Sequence, residues 1–79
     1  MMPDPELEAA ILETLTIHNK WMTPAEMAER MVQRFPNKWR GISAIHSARC
    51  RVAKTMRIMY EDGKLMKMDG IDRHVRYRR

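Results

Sequence analysis

Three stretches of helical periodicity and one alternating stretch succeed one another along the chain. From about residue 5 to 18, Leu7, Ala10, Ile11, Thr14, Leu15 and His18 recur at spacings of three and four, so they share the inner face of a helix. Glu6, Glu8 and Glu13 point elsewhere. Asp4-Pro5-Glu6 reads as its start: Asp as N-cap, Pro where a missing N–H costs nothing, and Glu favourable to the helix dipole. Asn19 and Lys20 end it, and His18 in the last turn suits the dipole better than a catalytic or ligand role.

Trp21-Met22 is short, apolar and set between two helices. It predicts a two- or three-residue strand whose partner comes from later in the chain. Thr23-Pro24-Ala25-Glu26 is a capping box, in which the Thr hydroxyl serves the N3 amide and the Glu carboxylate reaches back to the amide of the cap. Met22 and Met27 stand at the spacing of a hydrophobic staple. Met27, Ala28, Met31, Val32 and Phe35 continue the apolar face until Pro36-Asn37, giving a second helix over about 24–35. The connection Pro36-Asn37-Lys38-Trp39-Arg40-Gly41-Ile42 follows, with Trp39 expected as a lid on the core because its large apolar area favours burial.

The stretch Ser43–Asp62 predicts the third and longest helix. Ile45, Val52, Met56 and Met59 lie on one face with Ala48, Ala53 and Tyr60 at its edges, and Ser43, Ser47, Cys50 and Lys54 lie on the opposite one, flanked by His46, Arg51 and Arg57. Ser43 is the expected N-cap and Gly63 the expected C′ residue. From Leu65 the period changes to two. Asp69-Gly70 between Met68 and Ile71 suits a two-residue type I′ hairpin, with a longer loop over Asp69–His74 as the alternative closure. In the first register Met66, Met68, Ile71, Val75 and Tyr77 share a face, interrupted by Arg73, while Lys67, Asp72, His74, Arg76 and Arg78 take the other.

Composition narrows the class. Seventy-nine residues are expected to form a single domain over 1–79, burying proportionally little surface. One cysteine, no CxxC pair and an N-terminal MMPDPELEAA without the basic-then-apolar plan of a signal peptide predict a cytoplasmic protein. No apolar run approaches the roughly 20 residues of a membrane span, so no membrane partner is expected. The nine methionines imply either an adaptable core or an adhesive surface.

The net charge of +5 is unevenly placed. Residues 1–36 hold three Lys or Arg against six Asp or Glu, a net −3; residues 37–79 hold twelve against four, a net +8. Segregated positive charge is the footprint of a polyanion partner, because neutralising phosphates releases condensed counterions. A solvated basic surface, or one that meets acidic lipid or protein, has the same composition.

The order helix, short strand, helix, long basic helix, β-ribbon resembles the winged helix-turn-helix superfamily of DNA-binding domains. The resemblance covers nearly the whole chain and is carried by WMTPAEMAERM at the start of the second helix, by the spacing of Ile45, Ala48, Val52, Met56 and Met59, and by the closing EDGKLMKMDGIDRHVRYRR. It implies a mainly α fold of three helices plus a small antiparallel β-ribbon, the C-terminal wing. It also implies a DNA-binding, transcriptional or mobile-element regulator whose partner is double-stranded DNA. In such proteins the third helix enters the major groove and the wing touches backbone or minor groove. The connection between the second and third helices is longer than the tight turn of many members.

On that resemblance Ser43, His46, Ser47, Cys50 and Lys54 face base edges, and Arg51 and Arg57 with Lys38 and Arg40 of the connection flank them toward phosphates. On the wing, Lys67, Arg73, His74, Arg76 and Arg78 would hold the backbone or a narrow minor groove. Serine hydroxyls discriminate bases weakly, so modest sequence preference is expected, and Arg51→Ala or Arg76→Ala should weaken many sequences alike. Six to ten phosphate contacts would lower affinity by roughly 10³ to 10⁵ between about 50 and 200 mM salt.

Other chemistry is thin. His46 and Cys50 stand at i and i+4, but two ligands are too few for a metal site, and Cys50 as a thiol sensor is a weaker reading than a small residue on the outer face. No nucleophile, base and orienting group stand together, so no enzyme and no cofactor are expected. A winged helix serving as a protein-interaction or assembly module is the second reading and RNA binding the third. A homodimer is a further candidate on the single observation of Leu12 outside the first helix.

Overall fold

The computed structural model describes residues 4–41 and 43–79. Ile42, at the end of the connection, lies outside them. The order is α1 (Pro5–His18), α2 (Pro24–Arg34), α3 (Ala44–Glu61), β1 (Met66–Asp69) and β2 (Val75–Arg78). Three helices followed by a two-stranded antiparallel hairpin make the layout of a winged helix.

The helix ends lie where local chemistry sets them. The Asp4 carboxylate accepts from the Leu7 N–H at 3.1 Å, and Asn19 closes α1 in the left-handed conformation. Thr23 and Glu26 form both halves of the capping box. Phe35, expected inside the second helix, is its C-cap. At the end of α3, the Lys64 N–H reaches the Met59 carbonyl at 2.8 Å and the Gly63 N–H that of Tyr60 at 3.0 Å, with Gly63 at φ +79. These bonds form a Schellman motif, which requires the positive φ that glycine adopts without strain. The start of α3 differs from expectation: Ser43 holds the N-cap position, but its hydroxyl makes no capping bond.

Leu7, Ile11 and Leu15 of α1 meet Met27, Ala28 and Met31 of α2 and Val52, Met56 and Met59 of α3 in one core, which Met22, Trp39, Leu65 and Tyr77 close. Five of the nine methionines lie in this core, each no more than 1% exposed, so their flexible side chains serve mainly as packing. Trp39 is buried and meets Phe35 edge-on, as a lid. The two buried threonines, Thr14 and Thr55, return their hydroxyl protons to the carbonyls of Ala10 and Arg51, each at 2.8 Å, so neither leaves a polar atom unsatisfied. His18 departs from the inner face assigned to it and is exposed, because the helix has already run past the core by its last turn.

Met22 finds its partner in Tyr77. The two residues exchange backbone bonds of 3.0 and 2.9 Å, which adds a one-residue third strand to the hairpin and ties the wing to the start of α2. The hairpin itself closes through the longer loop, not the two-residue turn. Asp69 pairs with Val75, and residues 70–74 form the loop, with the Gly70 N–H on the His74 carbonyl at 3.0 Å and Arg73 at φ +66. Asp72 decides this: its carboxylate accepts from the His74 N–H and from both terminal nitrogens of Arg76, at distances of 2.8 to 3.2 Å. That fork packs over Gly70, where a Cβ would collide with the Arg76 guanidinium and the Asp72 carboxylate.

The register reassigns the faces of the wing. Met66 opposes Arg78 and Met68 opposes Arg76, so these four share the outer face, while Lys67 and Asp69 share the other with Tyr77 and Val75. Tyr77 turns into the core; Met66 and Met68 do not, and Ile71 stands wholly exposed at the tip.

Candidate nucleic-acid interface

Ser43, His46, Ser47, Cys50, Lys54 and Arg57 all lie on the exposed side of α3, opposite the buried stripe Ala48, Val52, Thr55, Met56 and Met59. From Ser43 to Tyr60 the chain has no Asp or Glu, whereas it has Arg49, Arg51, Lys54 and Arg57. The charges of α3 itself therefore make this face positive as far as Glu61, whose carboxylate stands 3.7 Å from the Arg57 Nε. Both side chains of that pair are well exposed, so water and salt screen it and leave Arg57 free to turn to another anion. His46 Nε2 and Cys50 Sγ stand 3.8 Å apart at the centre of the face. Among the described residues no group of three or more His, Cys, Asp or Glu gathers in metal-binding geometry.

A groove of about 470 Å³ runs between α3 and the wing, lined by Pro24, Ala53, Lys54, Arg57, Val75 and Tyr77. It exists because β2 is held down by its bonds to Met22 while Ala53, small, leaves space on the adjoining edge of α3. Two cations thus stand over a concave surface with the start of α2 as its far wall. Pro24, Ala53 and Val75 carry no charge and were not legible as site residues; the packing of α2 on α3 and the β2–Met22 pairing bring them together.

The remaining sequence-predicted cations are engaged within the chain to differing degrees. Lys38 Nζ and Arg51 Nη2 both bind the Asp4 carboxylate, each at 3.2 Å. Burial works against the charge on Asp4, but the Leu7 N–H, Lys38 and Arg51 outweigh it and hold the carboxyl below its ordinary value. These two cations fasten the start of α1 to the connection and to α3. Arg76 is forked to Asp72, which this partner and the His74 N–H hold far below the usual carboxylate range. Arg78 donates to the Asn19 side chain at 2.8 Å and Arg40 to that of Asn37 at 2.7 Å, both uncharged acceptors. Lys67 stands over the Tyr60 ring at 5.5 Å. Arg73 and His74 are exposed in the wing loop.

No described helix is long and apolar enough to cross a membrane. Comparison with protein-family models, with curated proteins and with solved structures finds no match to this chain.

Proposed function

We propose that this protein is a winged-helix regulator that binds double-stranded DNA, with α3 in the major groove and the wing along the adjoining backbone or minor groove. One observation carries the reading: the exposed side of α3 is free of carboxylates from Ser43 to Tyr60 and borders a groove lined by Lys54, Arg57 and β2. An exposed helix about 12 Å across with its side chains fits a major groove of about that width. Ser43, His46, Ser47 and Cys50 would meet base edges, Lys54 and Arg57 phosphates. The short polar side chains favour modest selectivity over long-sequence reading. The reading is one of binding rather than catalysis.

The cations without a carboxylate partner among the described residues revise the salt response. Among the cations predicted to touch DNA, Arg40, Lys54, Lys67, Arg73 and Arg78 are five such, and the loosely paired Arg57 makes six. Five to six phosphate contacts would lower affinity roughly 500- to 2,000-fold between about 50 and 200 mM salt, the low end of what the bare sequence suggests. Fluorescence-anisotropy titration against random and genomic duplexes at those two salts tests this. The expected result is a steep salt slope with preference for duplex DNA. A flat response, or equal affinity for single-stranded RNA, contradicts it.

A further inference from the structure

The wing has a free sheet edge, and the phase of its backbone can be read from the pairing. Tyr77 commits both its N–H and its carbonyl to Met22, so these groups face away from β1, and the opposed pair Lys67 and Tyr77 is a non-hydrogen-bonded one. The backbone groups of Met66 and Met68 therefore face β2, and those of Lys67 and Asp69 face outward. The Gly70 N–H on the His74 carbonyl continues the same phase. No other described strand covers this edge. Beside it, Met66 and Met68 are 51% and 40% exposed, and Ile71 is fully so. An exposed edge bordered by apolar side chains is a template for a further strand.

We propose that β1 pairs antiparallel with β1 of a second copy of this chain, about a two-fold axis through Met68. Directly opposed residues in an antiparallel pair point to the same face, so a two-fold axis must pass at a residue rather than between two. Only two such registers keep three residues of each strand paired. The axis through Lys67 sets lysine against lysine. The axis through Met68 sets Lys67 of each copy against Asp69 of the other, twice. In that register Lys67 and Asp69 are also the residues whose backbone groups face outward, so the two charge-matched pairs are the hydrogen-bonded ones. Met68 meets its own copy at the close, non-hydrogen-bonded position. Met66 lands opposite Gly70, which carries no side chain, above the concavity lined by Met68, Gly70, Ile71 and Arg76. Both registers satisfy the backbone phase; charge selects the one through Met68, and the exposed apolar side chains fit it. The pairing goes beyond the nucleic-acid reading, and its readout uses no DNA.

Sedimentation velocity over a dilution series, combined with amide hydrogen exchange, tests it. The intact chain should pass from its 9.4 kDa monomer to twice that mass as concentration rises, with exchange slowing at the Lys67 and Asp69 amides as it does. Lys67→Asp alone and Asp69→Lys alone should remain monomeric, since each opposes like charges. Mixed together they should form a heterodimer, because every opposed pair is then of opposite sign. The two substitutions in one chain should restore the homodimer. Circular dichroism melts establish that each variant is folded; should Lys67→Asp fail to fold, Asp69→Lys against the double variant carries the same test. A monomer at every concentration, association that protects other amides instead, or single reversals that dimerise like the intact chain would each overturn the proposal.

Discussion

The exposed side of α3 and the wing are both basic in sequence, but the fold treats their charges differently. On α3, Lys54 has no carboxylate partner among the described residues and Arg57 has only a loose one at 3.7 Å. On the wing, Arg76 is forked to Asp72, Arg78 is turned to Asn19, and two methionines share their face. A count of cations therefore overstates the wing as an anion site. Its remaining cations, Lys67, Arg73 and Arg78, are spread along a partly apolar edge, while Lys54 and Arg57 of α3 converge on one groove. If β1 edges pair, Lys67 meets Asp69 of the second copy and the wing contributes still less to phosphate binding.

The widest separation between the two regions should come from Lys54→Ala with Arg57→Ala. Losing two phosphate contacts lowers duplex affinity by roughly 60-fold near 100 mM salt, and the log–log salt slope by about two. Anisotropy reads both, and an unchanged slope would erase the distinction drawn for α3. The next effect is on stability. Thr23→Ala removes the capping box that starts α2, the far wall of the groove, and should destabilise the fold by about 1 kcal/mol in a denaturant titration, with the salt slope of DNA binding retained.

Smaller and confined in pH is the contribution of Asp4. Its carboxyl is held below its ordinary value, so the stability it confers is complete above about pH 4 and is lost as pH falls through the lowered pKa. Melting curves from pH 6 downward should therefore drop more steeply in the parent than in Asp4→Asn, which lacks the charge to lose. Arg51→Ala should show the same flattening, since Arg51 is one of the cations that hold the carboxyl down. Its effect on DNA affinity should be smaller than that of Lys54→Ala. The smallest change expected is in the DNA affinity of Arg76→Ala, within about twofold, because Asp72 already neutralises this side chain. A loss as large as that from the α3 pair would restore the wing as an equal partner.

Much of the fold was legible because it is local. Asp4-Pro5, Thr23-Pro24-Ala25-Glu26 and Gly63 place helix ends through bonds three to five residues long, and the periodicity of α3 separates Ser43, Ser47, Cys50 and Lys54 from Val52, Met56 and Met59. What the sequence hid is of two kinds. Asp69-Gly70 is a good turn pair by itself, but the competing Asp72–Arg76 fork and the His74 N–H favour a five-residue loop, which moves Met66 and Met68 to the outer face. Charge pairing over long separations was also invisible: Asp4 binds Lys38 and Arg51 across 34 and 47 positions. Those two residues looked like phosphate ligands because nothing in their own neighbourhood neutralises them.

NMR chemical-shift mapping of the full chain on titration with duplex DNA tests the α3 interface most directly. The largest shifts are expected at Ser43, His46, Ser47, Cys50, Lys54 and Arg57, with Ala53 and Val75 of the groove following. Shifts confined to residues 1–36, or no shifts at low salt, would contradict it.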